Sequence, residues 1–280
     1  MNLTKRYIKK LFRIIKKPEM KVLPGNIAFF LVLSIFPIIS LCGVVANIFN
    51  VSLGSVVNFL SHILPSGVDS LLVPYISGSG LDFHIGFSII TGYIVASNGA
   101  HSIIVSSNTL YGFPHGSYLN RRIKSLFITI LLVVLFVFTL FVLAFGNSIL
   151  KFILSFDVFY DIGDNIYYLF LLLKWPIAVI IVFVIIKLIF TLCPDSLIRS
   201  SLTTRGALFT TFAWVFSTFV YSYYVRYFSH YDIFYGSLSN IIIMMMWIYI
   251  LAISLVIGIA INVQSYKDDK NNNLDVVNNN

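Results

Sequence analysis

The chain has 280 residues, of which 58% are hydrophobic and 11% are charged, and its formal net charge is +8. Soluble domains carry about 25% charged residues, so this composition excludes a soluble globular protein. A basic balance can indicate nucleic acid, but here the lysines and arginines lie before and between long apolar runs, where they set membrane topology. The two cysteines, Cys42 and Cys193, fit neither a disulfide framework nor a zinc site. No cleavable signal peptide is predicted, because the basic start runs directly into a full-length span.

The first predicted element is a basic amphipathic helix over residues 5–17. Tyr7, Ile8, Leu11, Phe12 and Ile15 fall at helical spacing on one side. Such a helix suits the anionic cytoplasmic leaflet, and a solvated tail that only fixes topology is the alternative. Pro18 and then Pro24–Gly25 are predicted to separate it from the first span. The predicted membrane-surface cations of this segment are Lys5, Arg6, Lys9, Lys10, Arg13, Lys16 and Lys17.

The first span is predicted over residues 26–49, with Ser34 and Pro37 near its middle. Pro37 has no amide hydrogen, so the Leu33 carbonyl loses its helical partner and a kink is expected. That kink could serve as a hinge or ligand contact, or could be an ordinary membrane-helix proline. Residues 50–82 are too interrupted to cross a bilayer and predict two short interfacial or capping helices.

The second span, residues 83–108, is apolar enough to cross a bilayer yet has a polar face. At about 100° per residue, seven polar residues fall within an arc of about 160°. Lipid cannot satisfy amides, hydroxyls or an imidazole, so this face must meet other helices or enclosed water. Helix packing is one interpretation, and the wall of a cavity or substrate path is the other. The polar stripe comprises Thr91, Asn98, His101, Ser102, Ser106, Asn108 and Thr109.

Four further spans follow. A basic loop with Arg121, Arg122 and Lys124 is predicted to lie at the membrane surface, whereas the loop over 148–167 is acidic. The tail over 266–280 is low in complexity and is predicted to be disordered. The predicted spans lie at 125–147, 168–192, 206–228 and 237–264.

Charge alternation predicts the topology. Eight of the 19 lysines and arginines precede the first span, the 121–124 loop carries three, and residues 50–82 carry none. This places both termini in the cytoplasm after six crossings. The predicted fold is an all-α integral membrane protein, a six-transmembrane-helix bundle. Its segments are an amphipathic helix at 1–22, one membrane domain at 23–265 and a cytoplasmic tail at 266–280.

Several short motifs follow one another along the chain. Ser34-Ile35-Phe36-Pro37 lies in the first span, and Ser97-Asn98-Gly99 followed by Asn108-Thr109-Leu110-Tyr111-Gly112 lies in the second. The basic run Arg121-Arg122-Ile123-Lys124 comes next, and Tyr235-Gly236-Ser237-Leu238, Trp247-Ile248-Tyr249 and Gly258 with Asn262 lie near the end. Their order and spacing resemble the YihY/BrkB family of bacterial inner-membrane proteins, over about residues 23–264.

One position departs from this resemblance. Ile261 stands where many relatives have glutamate, so proton coupling through that carboxylate does not carry over. The family name has been attached to a ribonuclease activity, to serum resistance and virulence and, for one relative, to export of a lipid A precursor. The resemblance therefore implies an architecture more firmly than an activity.

The residues argue against a nuclease. Metal-assisted phosphodiester cleavage needs clustered carboxylates or histidines, and ten of the eleven acids lie in loops or tails without helical pairing. Asp82 near His84 lies at the outer end of the second span, where RNA is not expected. No glycine-rich phosphate loop is present. We therefore expect no catalytic residues, metal, cofactor or nucleic-acid partner.

The leading hypothesis is transport of a lipid or other amphiphile through a polar path. His101 is the intramembrane group able to titrate near neutral pH, although a hydrogen bond within the bundle would equally account for it. A non-transporting scaffold, or an envelope-integrity and serum-resistance factor, is the alternative. The expected location is the bacterial inner membrane, with the bilayer and its anionic headgroups as partners and the oligomeric state open. The predicted path residues are Ser34, Pro37, Thr91, Asn98, His101, Ser102, Asn108, Tyr111, Asn240 and Asn262.

Overall fold

A computed structural model describes residues 12–48, 83–114, 116–140, 163–228 and 239–278. These residues form helices and short connections with no β-strand among them, so the predicted all-helical fold is confirmed for this part of the chain. The predicted interfacial helices at 50–82, the cations Lys5, Arg6, Lys9 and Lys10, and most of the acidic loop lie outside the described residues. The six long helices are α1 Glu19–Ile48, α2 Phe83–Tyr111, α3 Tyr118–Leu140, α4 Gly163–Leu192, α5 Ser200–Phe228 and α6 Ser239–Asn278.

The helices pack as a ring in chain order. Each helix contacts the next one in sequence, and α6 closes the ring against α1 while also contacting α2. The α1–α2, α2–α3 and α5–α6 pairs run antiparallel, as the residues that meet along each pair show. The core therefore lies between helices of different sequence regions, with Ile27, Ile104 and Val256 fully buried in it.

The start of the first helix differs from the predicted break. The chain turns at residues 16–18, as Pro18 predicted, but α1 begins at Glu19 and continues through Pro24 and Gly25. Pro24 removes one backbone hydrogen bond, that to the Met20 carbonyl, and this loss does not end the helix because Leu23 and Ile27 are buried on either side. The prediction that Pro24–Gly25 interrupts the helix before the first span is wrong.

The last helix is longer than predicted. It continues through the polar tail to Asn278, whereas the sequence predicted disorder from residue 266. Tyr266 packs edge-on against the rings of Tyr111 and Phe113, at centroid distances of 5.7 and 5.6 Å. Because helix propagation from an existing packed helix requires no new nucleus, the polar residues extend it.

Small residues allow a close helix crossing between α5 and α6. A Cβ atom on Gly258 would lie 2.0 Å from the Thr210 hydroxyl oxygen and 3.0 Å from the Gly206 carbonyl oxygen. A Cβ atom on Gly206 would lie 2.2 Å from the Gly258 carbonyl oxygen. The backbones thus touch directly, as membrane helices with small residues at their interfaces do.

The outer surface of the bundle is apolar. Large side chains such as Leu172, Ile180, Phe212 and Phe219 are more than half exposed. Exposure of so many large apolar side chains is rare on soluble monomers and fits a lipid environment. Among the described residues, Ile241–Asn271 is long and apolar enough to cross a bilayer, and Pro176–Leu192 is a shorter apolar segment.

Candidate functional site

The polar stripe of α2 faces several neighbours rather than one. Asn98 faces α3, where its side-chain oxygen accepts a hydrogen bond from Arg122 Nη1 at 2.7 Å. Arg122 Nη2 donates to the Ile94 carbonyl at 2.8 Å, one helical turn away. One arginine therefore joins α3 to two successive turns of α2.

Asn108 faces the connection between α4 and α5. Its side-chain amide donates to Asp195 Oδ2 at 2.7 Å, and its side-chain oxygen accepts from the Asp195 backbone amide at 2.8 Å. Asn108 is fully buried, and this two-way pairing satisfies both ends of its amide.

Two further donor groups lie close to the Asp195 carboxylate. The Gly116 amide lies 3.2 Å from Oδ2, and Lys124 Nζ lies 3.4 Å from Oδ1. Lys124 also donates to the Cys193 and Pro194 carbonyls, at 3.0 and 2.6 Å. The α2–α3 turn is thereby fastened to the α4–α5 connection by charged and backbone groups.

The turn that brings Gly116 to Asp195 depends on one glycine. Gly112 has a φ of 74°, and its amide and that of Phe113 both donate to the Asn108 carbonyl, at 2.9 and 3.0 Å. This left-handed residue ends α2 as a C-terminal cap and redirects the chain.

Three groups of the stripe have enclosed atoms without a protein partner. His101 Nδ1 and the hydroxyls of Ser102 and Ser106 are buried and make no hydrogen bond within the described part of the chain. The His101 ring as a whole also interacts with the Arg121 backbone and meets the Tyr118 ring edge-on at 5.9 Å. These atoms retain hydrogen-bonding capacity that helix packing has not used.

The predicted first-span site lies at the α1–α2 crossing. The Ser34 hydroxyl is buried, 2.6 Å from the Phe30 carbonyl oxygen and 2.9 Å from the Ala96 carbonyl oxygen. A Cβ atom on Gly99 would lie 3.2 Å from this hydroxyl. Ser34 therefore acts here in close helix packing. The backbone of α1 is helical through Pro37, and Thr91 lies on α2 with a partner of its own.

Two further predicted path residues lie apart from the stripe. Asn262 is fully buried on α6, where its side-chain oxygen accepts from the Gly206 amide at 2.8 Å and its Nδ2 is enclosed without a partner among described groups. Tyr111 stacks on Phe113 at 5.2 Å, and burial followed by the neighbouring Tyr266 raises the pKa of its hydroxyl. Asn240 opens α6, and its side chain lies outside the described part.

The predicted membrane-surface cations fall into two groups. Arg13, Lys16 and Lys17 lie before α1, and Lys16 and Lys17 are exposed. Arg122 and Lys124 instead direct their charged groups at protein acceptors, as described above. Arg121 precedes them, in the first turn of α3.

Sequence reasoning missed Asp195 and the Gly206–Gly258 contact. Asp195 had no distinguishing local pattern, since its partner Asn108 lies 87 positions away. The glycine contact did have a pattern. Gly206 with Thr210, and Ser254 with Gly258, are small residues four apart on α5 and on α6, the spacing typical of close membrane-helix crossings.

The cluster offers hydrogen bonding and positive charge rather than nucleophilic or metal chemistry. Burial raises the pKa of the Cys193 thiol to about 12, so the thiolate that reacts is scarce near neutral pH. Among the described residues, no three histidine, cysteine or acidic side chains lie close enough to share a metal ion.

Comparison with known proteins places the chain in a family. The model of the family described as "Virulence factor BrkB" matches residues 11–276. The ribonuclease-like protein YfkH of Bacillus subtilis (strain 168) is 26% identical over 269 residues, an alignment that covers 94% of this chain and 96% of YfkH. No solved structure matches the chain. Because the family model covers all six long helices almost completely, the chain belongs to the BrkB virulence factor family of membrane proteins.

Proposed function

We propose that this protein transports a lipid or other amphiphile across the bacterial inner membrane, along a path that includes the polar stripe of α2. The chain crosses the membrane six times in this proposal, with both termini in the cytoplasm. The observation that carries it is the set of enclosed polar atoms on α2, namely His101 Nδ1 and the hydroxyls of Ser102 and Ser106. Packing alone would leave such atoms unsatisfied at a cost, whereas a hydrated or substrate-bearing path supplies their partners.

The apolar exterior supports an amphiphilic substrate over a small soluble one. A lipid can enter sideways from the bilayer, and the bundle presents exposed apolar side chains on α2, α3, α4 and α5. The polar atoms lie on α2, and this helix is longer than the hydrocarbon core of a bilayer is thick. A substrate with an apolar tail and a polar head matches the apolar exterior of the bundle and the polar stripe of α2.

A non-transporting scaffold is the second candidate, and specific contacts favour it. Asn98, Asn108 and Asn262 each hydrogen-bond across a helix interface, to Arg122, Asp195 and Gly206. Polar groups used in this way hold a bundle together without any cargo.

We propose no ribonuclease activity, although the name of the relative YfkH contains that term. The acid nearest the basic run, Asp195, already accepts from Asn108, Gly116 and Lys124. A carboxylate engaged by three donors is poorly placed to hold a catalytic metal ion.

The test is lipid movement in proteoliposomes that carry a fluorescent, NBD-labelled phosphatidylglycerol, quenched from outside by dithionite. The wild-type protein should speed exchange between leaflets, and Asn98→Ala, His101→Ala and Asn108→Ala should each slow it. Ser217→Ala, which alters an intramembrane hydroxyl on α5 bonded within its own helix, is the matched control and should transport normally.

Two outcomes decide between the candidates. Normal exchange in all three α2 variants would remove the proposed path. If the folded wild-type protein exchanges lipid between leaflets no faster than protein-free liposomes do, the scaffold is favoured.

A further inference from the structure

The Arg122 guanidinium lies against the middle of α2. Its partner Asn98 is close to the midpoint of this helix, and its other partner, the Ile94 carbonyl, lies one turn nearer the start. Arg122 reaches this part of α2 because α3 begins at Tyr118 rather than near residue 125, with its first turn beside His101. Arg122 therefore lies in the second turn of a helix and not in the loop that the sequence predicted.

The charge at this position is not balanced by an acid in the described part of the chain. Both acceptors of Arg122 are neutral. Arg121 and Lys124 lie within the same two turns, and the carboxylate that approaches them, Asp195, is paired with Lys124. Arg122 is half-buried, and a partly desolvated cation is stabilised when an anion joins its neutral acceptors.

The Arg122 guanidinium also has N–H donors beyond those that these two hydrogen bonds use. Arginine carries five N–H donors in a planar fork, and the described contacts of Arg122 use two of them. The geometry of the fork matches the oxygens of a phosphate group. The remaining donors therefore suit an anionic phosphate headgroup.

An apolar stripe begins directly beside the arginine. Five side chains of α3 at spacings of four, four, three and four are each at least half exposed. Ile90 and Ile94 of α2 are also exposed, and Ile94 is the residue whose carbonyl Arg122 contacts. Charge at one end and a continuous apolar strip along the helix fit one amphiphile. The α3 stripe comprises Leu119, Ile123, Phe127, Ile130 and Val134.

We propose that Arg122 binds the phosphate headgroup of an anionic membrane phospholipid whose acyl chain lies along the α3 stripe. As a statement about the transported substrate, this rests on the proposed function above. As a binding site it stands on the arginine contacts and the stripe alone. It differs from the general attraction of surface lysines to anionic lipid, because it needs one guanidinium held against α2 and one apolar face.

The test is lipid retention by the full chain in nanodiscs of phosphatidylcholine with a minority of phosphatidylglycerol, followed by detergent release and native mass spectrometry. Wild type should retain phosphatidylglycerol in preference to phosphatidylcholine. Arg122→Gln should lower that preference about tenfold, the expected loss of a charge-assisted contact. Arg122→Lys should restore part of it, since lysine keeps the charge without the fork.

Three further arms sharpen the result. Arg199→Gln removes an exposed arginine at the same end of the bundle and should leave the preference unchanged. Phe127→Ser, at an exposed position that leaves the core intact, should weaken retention through the acyl chain. Inorganic phosphate should not displace the lipid, and displacement by phosphate alone would overturn the lipid assignment in favour of a free anion.

Equal retention of the two lipids by wild type, or an unchanged preference in a folded Arg122→Gln variant, would overturn the site. Clear preference in wild type without any leaflet exchange would leave the site standing and reject transport. Failure of the site and failure of the proposed function are thus distinguishable.

Discussion

Single side chains in this protein connect distant parts of the sequence. Asn108 pairs with both the backbone and the carboxylate of Asp195, and Arg122 bonds two turns of α2 at once. The sequence identified Asn98 and Asn108 as polar residues that must avoid lipid, and the structure gives both protein partners. It also divides the predicted stripe, since Asn98 and Asn108 face different neighbours. The sequence could not predict this division, because helical angles show which residues share a face but not what that face meets.

At the residue scale, glycine at the α5–α6 crossing is predicted to be required. Gly258→Ala should lower the stability, by roughly 1–3 kcal/mol, because its Cβ would overlap Thr210 and force the helices apart. Gly25→Ala is the matched control, since nothing lies within 4 Å of its Cβ and alanine favours helix. Thermal unfolding in detergent, followed by intrinsic fluorescence, measures both. A Gly258→Ala protein as stable as wild type would show that the helices separate at no cost.

At the scale of elements, the prediction from local composition failed where a polar segment follows a packed helix. The tail after residue 265 reads as disordered, yet Tyr266 meets two aromatic rings and Gln264 bonds Asp268 at 2.8 Å along the helix. Propagation of an anchored helix overrides weak local preference. The same reasoning applies to Pro24, where burial on both sides of the proline keeps α1 continuous.

The tail helix predicts slow amide exchange. In hydrogen–deuterium exchange with mass spectrometry, peptides covering 264–271 should exchange far more slowly than those covering the 112–117 turn. The physical reason is that helical amides are hydrogen-bonded and Tyr266 anchors this part against α2. Tyr266→Ala should speed exchange after residue 266, while Ser217→Ala serves as the unaffected control. Complete exchange of the amides of residues 266–271 within seconds in wild type would show that the tail is disordered, as the sequence predicted.

At the scale of the whole molecule, consecutive helices form a closed ring, and basic residues gather at one end of it. Arg13, Lys21, Lys124 and Arg199 lie near helix ends that meet there, and Lys267 of α6 comes close to Lys17. Burial, followed by the charge of Lys17, lowers the pKa of Lys267, so this end is crowded with positive charge. In the proposed topology this end faces the cytoplasm, as the positive-inside rule expects.

The proposed topology predicts which side is accessible. In a Cys42→Ala background, Ser117→Cys and Ser196→Cys should resist a membrane-impermeant maleimide in intact cells and react after lysis, because both lie at the basic end. Asp161→Cys, in the predicted outer loop, should react in intact cells. Cys193 can be retained, since burial raises the pKa of its thiol to about 12 and suppresses reaction. Labelling of residue 117 or 196 in intact cells would contradict cytoplasmic termini.

The sequence by itself determined the all-helical class and the polar residues that α2 carries along an otherwise apolar helix. These follow from local quantities, namely hydropathy, charge position and helical period, which need no knowledge of neighbours. Only the tertiary structure decided that Asp195 secures the α2–α3 turn, that Gly206 meets Gly258, and that Arg122 lies beside the middle of α2. Each of these contacts joins residues far apart in the chain, and its geometry depends on where helices begin and how closely they cross.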